Sequence, residues 1–244
     1  MKQSHNQGVV VIDFDFSPYF KKYEALVAAS DAVFDRVRSA YADCVNCREE
    51  CADCCYALFD LTLVEALYIN HRFNQKFQGA RRSEALEKAN RADRRIHKLK
   101  RKAFESLKDG KEEAEILADL ARERVRCPLL NERELCDLYG HRPITCRFYG
   151  IPTQIGEAGH TCGKSGFKAG EQYPTVRLDV IHAQLQQISA ELVRDLKSRF
   201  PKLADLLVPL SMALTTDYDE VFLGVGEEPA PPVANRHRRS RRKK

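Results

Sequence analysis

Cys44, Cys47, Cys51, Cys54 and Cys55 fall within twelve consecutive residues, with gaps of two, three, two and no residues between them. Short gaps of this kind let successive sulfurs turn inward onto one centre, because the backbone between them makes a tight loop. A second group, Cys127, Cys136 and Cys146, has gaps of eight and nine, and Cys162 follows after fifteen more. Thiolates are soft ligands that select zinc, copper(I) or iron–sulfur clusters. Zinc wants four ligands in a tetrahedron, and iron–sulfur clusters are usually held by four cysteines. Nine cysteines exceed one such need, which leaves either two centres or one centre with spare thiols. The adjacent pair Cys54–Cys55 favours two, since neighbouring residues seldom point at one small ion. An isolated cysteine also packs as a small hydrophobe. That reading suits the remote Cys162 as well as ligation does, but core packing gives no reason for the density of the first group.

The odd count and tight clustering also speak against a secreted disulfide scaffold, which is shorter and carries an even number of dispersed cysteines. A reducing cytoplasm is the compartment expected for so many thiols. The longest apolar stretch, Leu206–Leu214, is too short to span a bilayer and contains Pro209. Val9–Ile12 is followed at once by Asp13 and Asp15, which is too short and too acidic for a secretory signal. No membrane association is therefore expected. The chain of 244 residues is 43% hydrophobic and 31% charged, enough for a core and a soluble surface. Its net charge is +5, but seven basic residues lie in Arg236–Lys244, and the rest of the chain is near neutral. The end of the chain from Glu227 has the composition of a disordered tail. Nucleic acid could be touched only through phosphate contacts of that tail, and no aromatics are interleaved there for base stacking. The expected partner or substrate is a protein that the sequence does not identify.

The elements that must position the cysteines read as mainly α: a helical domain with a cysteine-rich loop region ordered by metal. Residues 1–16 form an extended N-terminal arm. Ser17–Pro18 starts a helix, and Phe20, Tyr23, Val27, Phe34, Val37 and Tyr41 continue it to about 42, delivering the chain to Cys44. Thr62 with Glu65 is a capping box opening a helix over about 62–77. Residues 81–126 are highly charged with a sparse apolar stripe, and Asp109–Gly110 turns them into an inserted helical hairpin. Residues 127–172 show no lasting period. A helix follows over 174–198, Pro201 breaks it, and Leu203, Leu206, Leu207 and Leu210 begin another. The cysteine cluster domain is thus expected over 17–172, with C-terminal helices at 173–225 packing on it and a disordered basic tail at 226–244.

Cys47-x3-Cys51-x2-Cys54 has the spacing of radical S-adenosylmethionine enzymes. However, Asp53 stands where those enzymes usually carry an aromatic, a helix precedes the motif, and the strand–helix alternation of a barrel is missing. A different family fits more of the chain. The segment CVNCREECADCC at 44–55, with Cys127-Pro128-Leu129-Leu130, Cys136-Asp137-Leu138-Tyr139 and Arg142-Pro143-Ile144-Thr145-Cys146-Arg147, resembles the YkgJ-type cysteine cluster proteins. Their domain is also described as the CxxCxxCC zinc- or iron-chelating domain. The family places two residues between its second and third cysteines, whereas three separate Cys47 from Cys51. The match can instead start at Cys51, leaving Cys44 and Cys47 outside.

The resemblance implies metal chelation, with the nine cysteines as candidate ligands and zinc or iron, including an iron–sulfur cluster, as the cofactor. Arg142 and Arg147 flank Cys146 and are the candidate cofactor-binding cations: positive donors near thiolates lower their pKa and offset cluster charge. His141 and His160 are secondary ligand candidates. Three functions follow: an iron or iron–sulfur protein with a redox or protein-modifying role, a structural zinc module that organises a partner-binding surface, or an S-adenosylmethionine-dependent protein methylase. The last rests on a flagellin lysine methylase with a similar cysteine pattern. No glycine-rich dinucleotide-type loop after a strand supports it independently.

Overall fold

The computed structural model describes residues 13–48 and 51–225. Most of the expected N-terminal arm and the whole basic tail at 226–244 lie outside the described residues. Helix α1 (Ser17–Ala40) begins with Pro18 in its first turn and buries Tyr19, Tyr23, Ser30 and Val37. Strand β1 (Asp60–Thr62) leads straight into α2 (Leu63–Lys76). Every residue from Leu63 to Ile69 of α2 is buried, which makes it the central helix rather than a one-sided surface helix.

Helices α3 (Gly79–Lys108) and α4 (Glu113–Arg122) pack as a hairpin around Asp109–Gly110, where Gly110 takes φ +87°. Only Ala85, Ala89 and Ala92 of α3 are buried. Small residues on one face let this long, charged helix lie close to the body. Next come α5 (Ile144–Phe148) and the strands β2 (Thr153–Ile155), β3 (Ala158–His160) and β4 (Val176–Arg177), in the order β3-β2-β4. The pair β2–β3 is antiparallel and β2–β4 parallel. Helix α6 (Leu178–Asp195) buries Leu185, Ile188, Ser189, Leu192 and Val193 against α2. Strand β5 (Leu207–Pro209), α7 (Leu210–Thr215) and α8 (Glu220–Leu223) complete the described chain.

The helix expected from Leu203 forms differently. Pro201–Asp205 is a single 3-10 turn, and Leu207–Pro209 then pairs antiparallel with β1, Leu61 opposite Val208. Pro209 has no N–H to give to a helix interior, so the helix starts only at Leu210. Segment 127–172 is also less irregular than its sequence suggests, since it holds α5 and the β2–β3 hairpin.

One core runs through α1, α2, α6 and α7, with Tyr23, Ile69, Phe73, Phe77 and Leu185 among its largest buried side chains. Leu129, Leu138, Ile144, Phe148 and Ile151 from the cysteine-rich segment belong to it too. The capping box links core and site. Glu65 Oε2 accepts from the Thr62 N–H at 3.4 Å and the Thr62 hydroxyl at 3.3 Å, while Oε1 accepts from the Ile144 N–H at 3.2 Å. Glu65 thus ties the start of α2 to the start of α5, two residues before Cys146. Glu65→Ala strips two buried N–H groups of their acceptor, and is expected to cost about 3 kcal/mol in urea unfolding. Burial raises the Glu65 carboxyl above its usual 4.5, against the pull of those donors. The fold therefore prefers the protonated acid, and its contribution is present below pH 4.5 and lost as pH rises through the raised value. Glu65→Gln is expected to remove that pH dependence.

Candidate metal centre

Local turns set each cysteine in place. Beyond α1, the Cys44 and Val45 N–H groups both donate to the Tyr41 carbonyl. Asn46 donates to the Lys164 carbonyl at 2.7 Å, and the Gly166 N–H donates to the Cys44 carbonyl at 2.8 Å. These bonds clip residues 44–46 to the segment after Cys162. Asp53–Tyr56 is a 3-10 turn that carries Cys54 and Cys55. The chain at 125–127 runs beside it: Cys127 N–H donates to the Cys55 carbonyl at 2.7 Å, and Val125 N–H to the Tyr56 carbonyl at 3.1 Å. Cys136 is returned beside Leu130 by a loop held at Asn131, whose side-chain oxygen accepts from the Arg133 and Leu135 N–H groups. Helix α5 presents Cys146.

The two distant cysteine stretches therefore meet. A cavity of about 850 Å³ opens between them, lined by Cys47, Cys51, Cys54, Cys55, Cys127, Cys136, Cys146 and Cys162. Cys44 is the exception: it is half-buried against the helical core, off the cavity wall. All nine thiols are unbridged. The sulfurs ring the wall rather than meeting at one point, and among the described residues no three Cys, His, Asp or Glu side chains stand as a ready-made ion site. Cys54 hydrogen-bonds Cys55, and Cys55 hydrogen-bonds Cys127.

The thiols share one electrostatic character. Burial pushes Cys47 up to about 11, with Cys51 and Cys162 adding to it. Cys55 is pushed up to about 12, first by its bond with Cys127. Cys54 is raised by its bond with Cys55 and by burial, Cys136 and Cys146 chiefly by burial. One cation opposes this: Arg142 favours the charged form of Cys47, Cys54, Cys136 and Cys146 alike.

The two arginines singled out from the sequence part ways. Arg142 stacks on Tyr139, 3.8 Å from the ring centre, and spends Nε on the Tyr139 carbonyl. Tyr139 is 62% exposed, so this pair forms part of the cavity's mouth. Arg147 is only 7% exposed and engaged on all three nitrogens: Asp31 at 2.6 Å, the Gly140 carbonyl at 2.7 Å and the Arg142 carbonyl at 2.9 Å. It positions the loop before α5 and keeps no donor for a ligand. His141 lies on the wall with Nδ1 3.0 Å from the Tyr68 hydroxyl. His160 sits exposed on β3, away from the wall.

Sequence reasoning passed over Asp53. Its Oδ2 accepts from the Tyr149 hydroxyl at 3.1 Å and from the Cys162 thiol at 3.7 Å, and its Oδ1 pairs with Arg124 at 2.8 Å. Burial works against its charge, but Arg124, Tyr149 and Lys164 together hold the carboxyl below its usual range. The only hint in the sequence was an acidic residue in the middle of the first cysteine group.

Residues 46–163 match the model of the family described as "CxxCxxCC: Putative zinc- or iron-chelating domain". Residues 46–163 are a CxxCxxCC domain. The domain starts one residue before Cys47 and ends one residue after Cys162, so it encloses the eight cavity cysteines and leaves out Cys44. No curated protein and no solved structure matches the chain. The donor set of the CxxCxxCC domain fits the metals of its description, since thiolates bind both zinc and iron–sulfur centres. Among the described residues, no helix is long and apolar enough to cross a membrane.

Proposed function

We propose that this protein holds iron, as an iron–sulfur centre, in the cysteine-lined cavity, and works in a reducing cytoplasm. The observation that carries this is eight thiols from two distant stretches on one wall, more than a single mononuclear ion takes. The size of the cavity supports it, since about 850 Å³ leaves room for a multi-atom cluster. Arg142 at the mouth supplies a positive charge to offset that of the bound thiolates. The experiment is anaerobic purification of the full chain with metal analysis and an optical spectrum. Brown protein with charge-transfer absorption and iron is expected. Colourless protein with stoichiometric zinc would overturn the iron reading, and protein that takes up neither metal would overturn both.

The second reading is a structural zinc module. It is favoured by residues 127–143, which are held by turns and isolated hydrogen bonds, not by a helix of full length or a sheet. A segment built in this way gains order when metal joins its ends, because metal binding free energy is folding free energy.

A further inference from the structure

The eight cavity cysteines do not form one even ring. After burial, the groups that most oppose a charge on Cys47 are Cys51, Cys162 and Cys54, in that order. Cys162 in turn faces Asp53 and Cys51. On the other side, Cys55 is bonded to Cys127 and faces Cys136, and Cys146 faces Cys54, Cys136 and Cys55. Cys54 is the thiol met by both groups. The backbone explains the division. In a 3-10 turn, successive side chains diverge by roughly 120°, so Cys54 and Cys55 cannot both face the same side. Cys55 turns toward Cys127 and packs with Ala52 and Leu130. Cys47 instead donates to the Tyr149 carbonyl at 3.4 Å, and Cys162 is held between Asp53 and the Lys164 N–H.

Cys55, Cys127, Cys136 and Cys146 already supply the four sulfurs of a tetrahedral site. Cys47, Cys51 and Cys162 are one short, and Cys54 borders them. We propose that the cavity holds two metal centres, an inner one on Cys55, Cys127, Cys136 and Cys146 and an outer one on Cys47, Cys51, Cys54 and Cys162. This rests on the reading of the cavity as a metal site. Asp53 is a positioning residue of the outer centre: it fixes Cys162 and is itself fixed by Arg124 and Tyr149.

The test is anaerobic titration of the metal-free full chain with cobalt(II), read by thiolate-to-cobalt charge-transfer absorption. The wild type is expected to saturate at two equivalents. Cys47→Ser with Cys162→Ser should halve the uptake, and so should Cys127→Ser with Cys136→Ser, with far-ultraviolet circular dichroism showing that the helices persist. Saturation of the wild type at one equivalent would overturn the two-centre arrangement, whatever the variants do. So would a folded variant of either pair that loses all uptake. Absence of any charge-transfer band in the wild type would instead overturn the metal reading on which it rests.

Discussion

Stripping the metal from the loaded protein is expected to open residues 44–60 and 127–165 together while the helical core stays folded. The two stretches hold each other through few direct bonds, chiefly those of 125–127 along 55–56. Their sulfurs point at a shared cavity rather than into packed apolar surface. The core of α1, α2, α6 and α7 has its own large buried side chains and needs no ion. Thiolate zinc sites yield about 10 kcal/mol of binding free energy at neutral pH. At about 2–4 °C per kcal/mol for a chain of this size, even half of that lowers Tm by about 10–20 °C. Thermal scans with and without a strong chelator read the shift, and amide hydrogen exchange reads where the chain opens. Unchanged Tm and protection after complete removal of metal would defeat the expectation.

The metal-free state carries a pH signature of its own. Cys47 and Cys55 titrate near 11 and 12 in the fold, against 9.0 for an ordinary thiol. The folded state therefore holds protons that the unfolded chain gives up. This contribution is fully present below about pH 9, and is lost as pH rises through the range 9 to 12. Metal reverses the preference, because a bound thiolate must first lose its proton. Affinity is therefore expected to fall as pH falls, which a competition titration at several pH values measures.

Much of this was legible in the sequence, for reasons that differ by element. The capping box at Thr62 and Glu65 is a local code, and it opens α2 as expected. The cysteine spacing brings Cys51, Cys54 and Cys55 to one place because two- and three-residue gaps leave the chain nowhere else to go. The place of Cys44 was not legible. Its spacing from Cys47 matches the others, but the Gly166 N–H claims its carbonyl and its side chain falls on the core. Nor could spacing show that Arg147 is engaged by Asp31, a residue on α1 far away in sequence. The β1–β5 pair depends on two segments nearly 150 residues apart, so a window that saw only leucines after Pro201 read a helix. Asp53 carries no motif at all. Its role comes from Tyr149, Arg124 and Cys162, which only the fold brings to it.

Gly150→Ala is expected to displace Cys47 from the cavity wall and to destabilise the protein by about 2–4 kcal/mol. Two costs combine at this position. Gly150 takes φ +112°, a conformation that a residue with a Cβ adopts only under strain. A Cβ built there would also lie 2.2 Å from the Cys47 Sγ, far inside contact distance. The thiol cannot stay while the methyl is present. Cys47 would have to rotate, which breaks its bond to the Tyr149 carbonyl and withdraws one donor from the outer sulfur group. A second background separates the two costs. In Cys47→Ala the clashing sulfur is gone, so Gly150→Ala should cost only its backbone strain, about 1–3 kcal/mol. The difference between the two backgrounds is the coupling energy of the pair. Urea unfolding of the four proteins measures it, and equal costs in both backgrounds would show that Gly150 does not hold the Cys47 thiol in place.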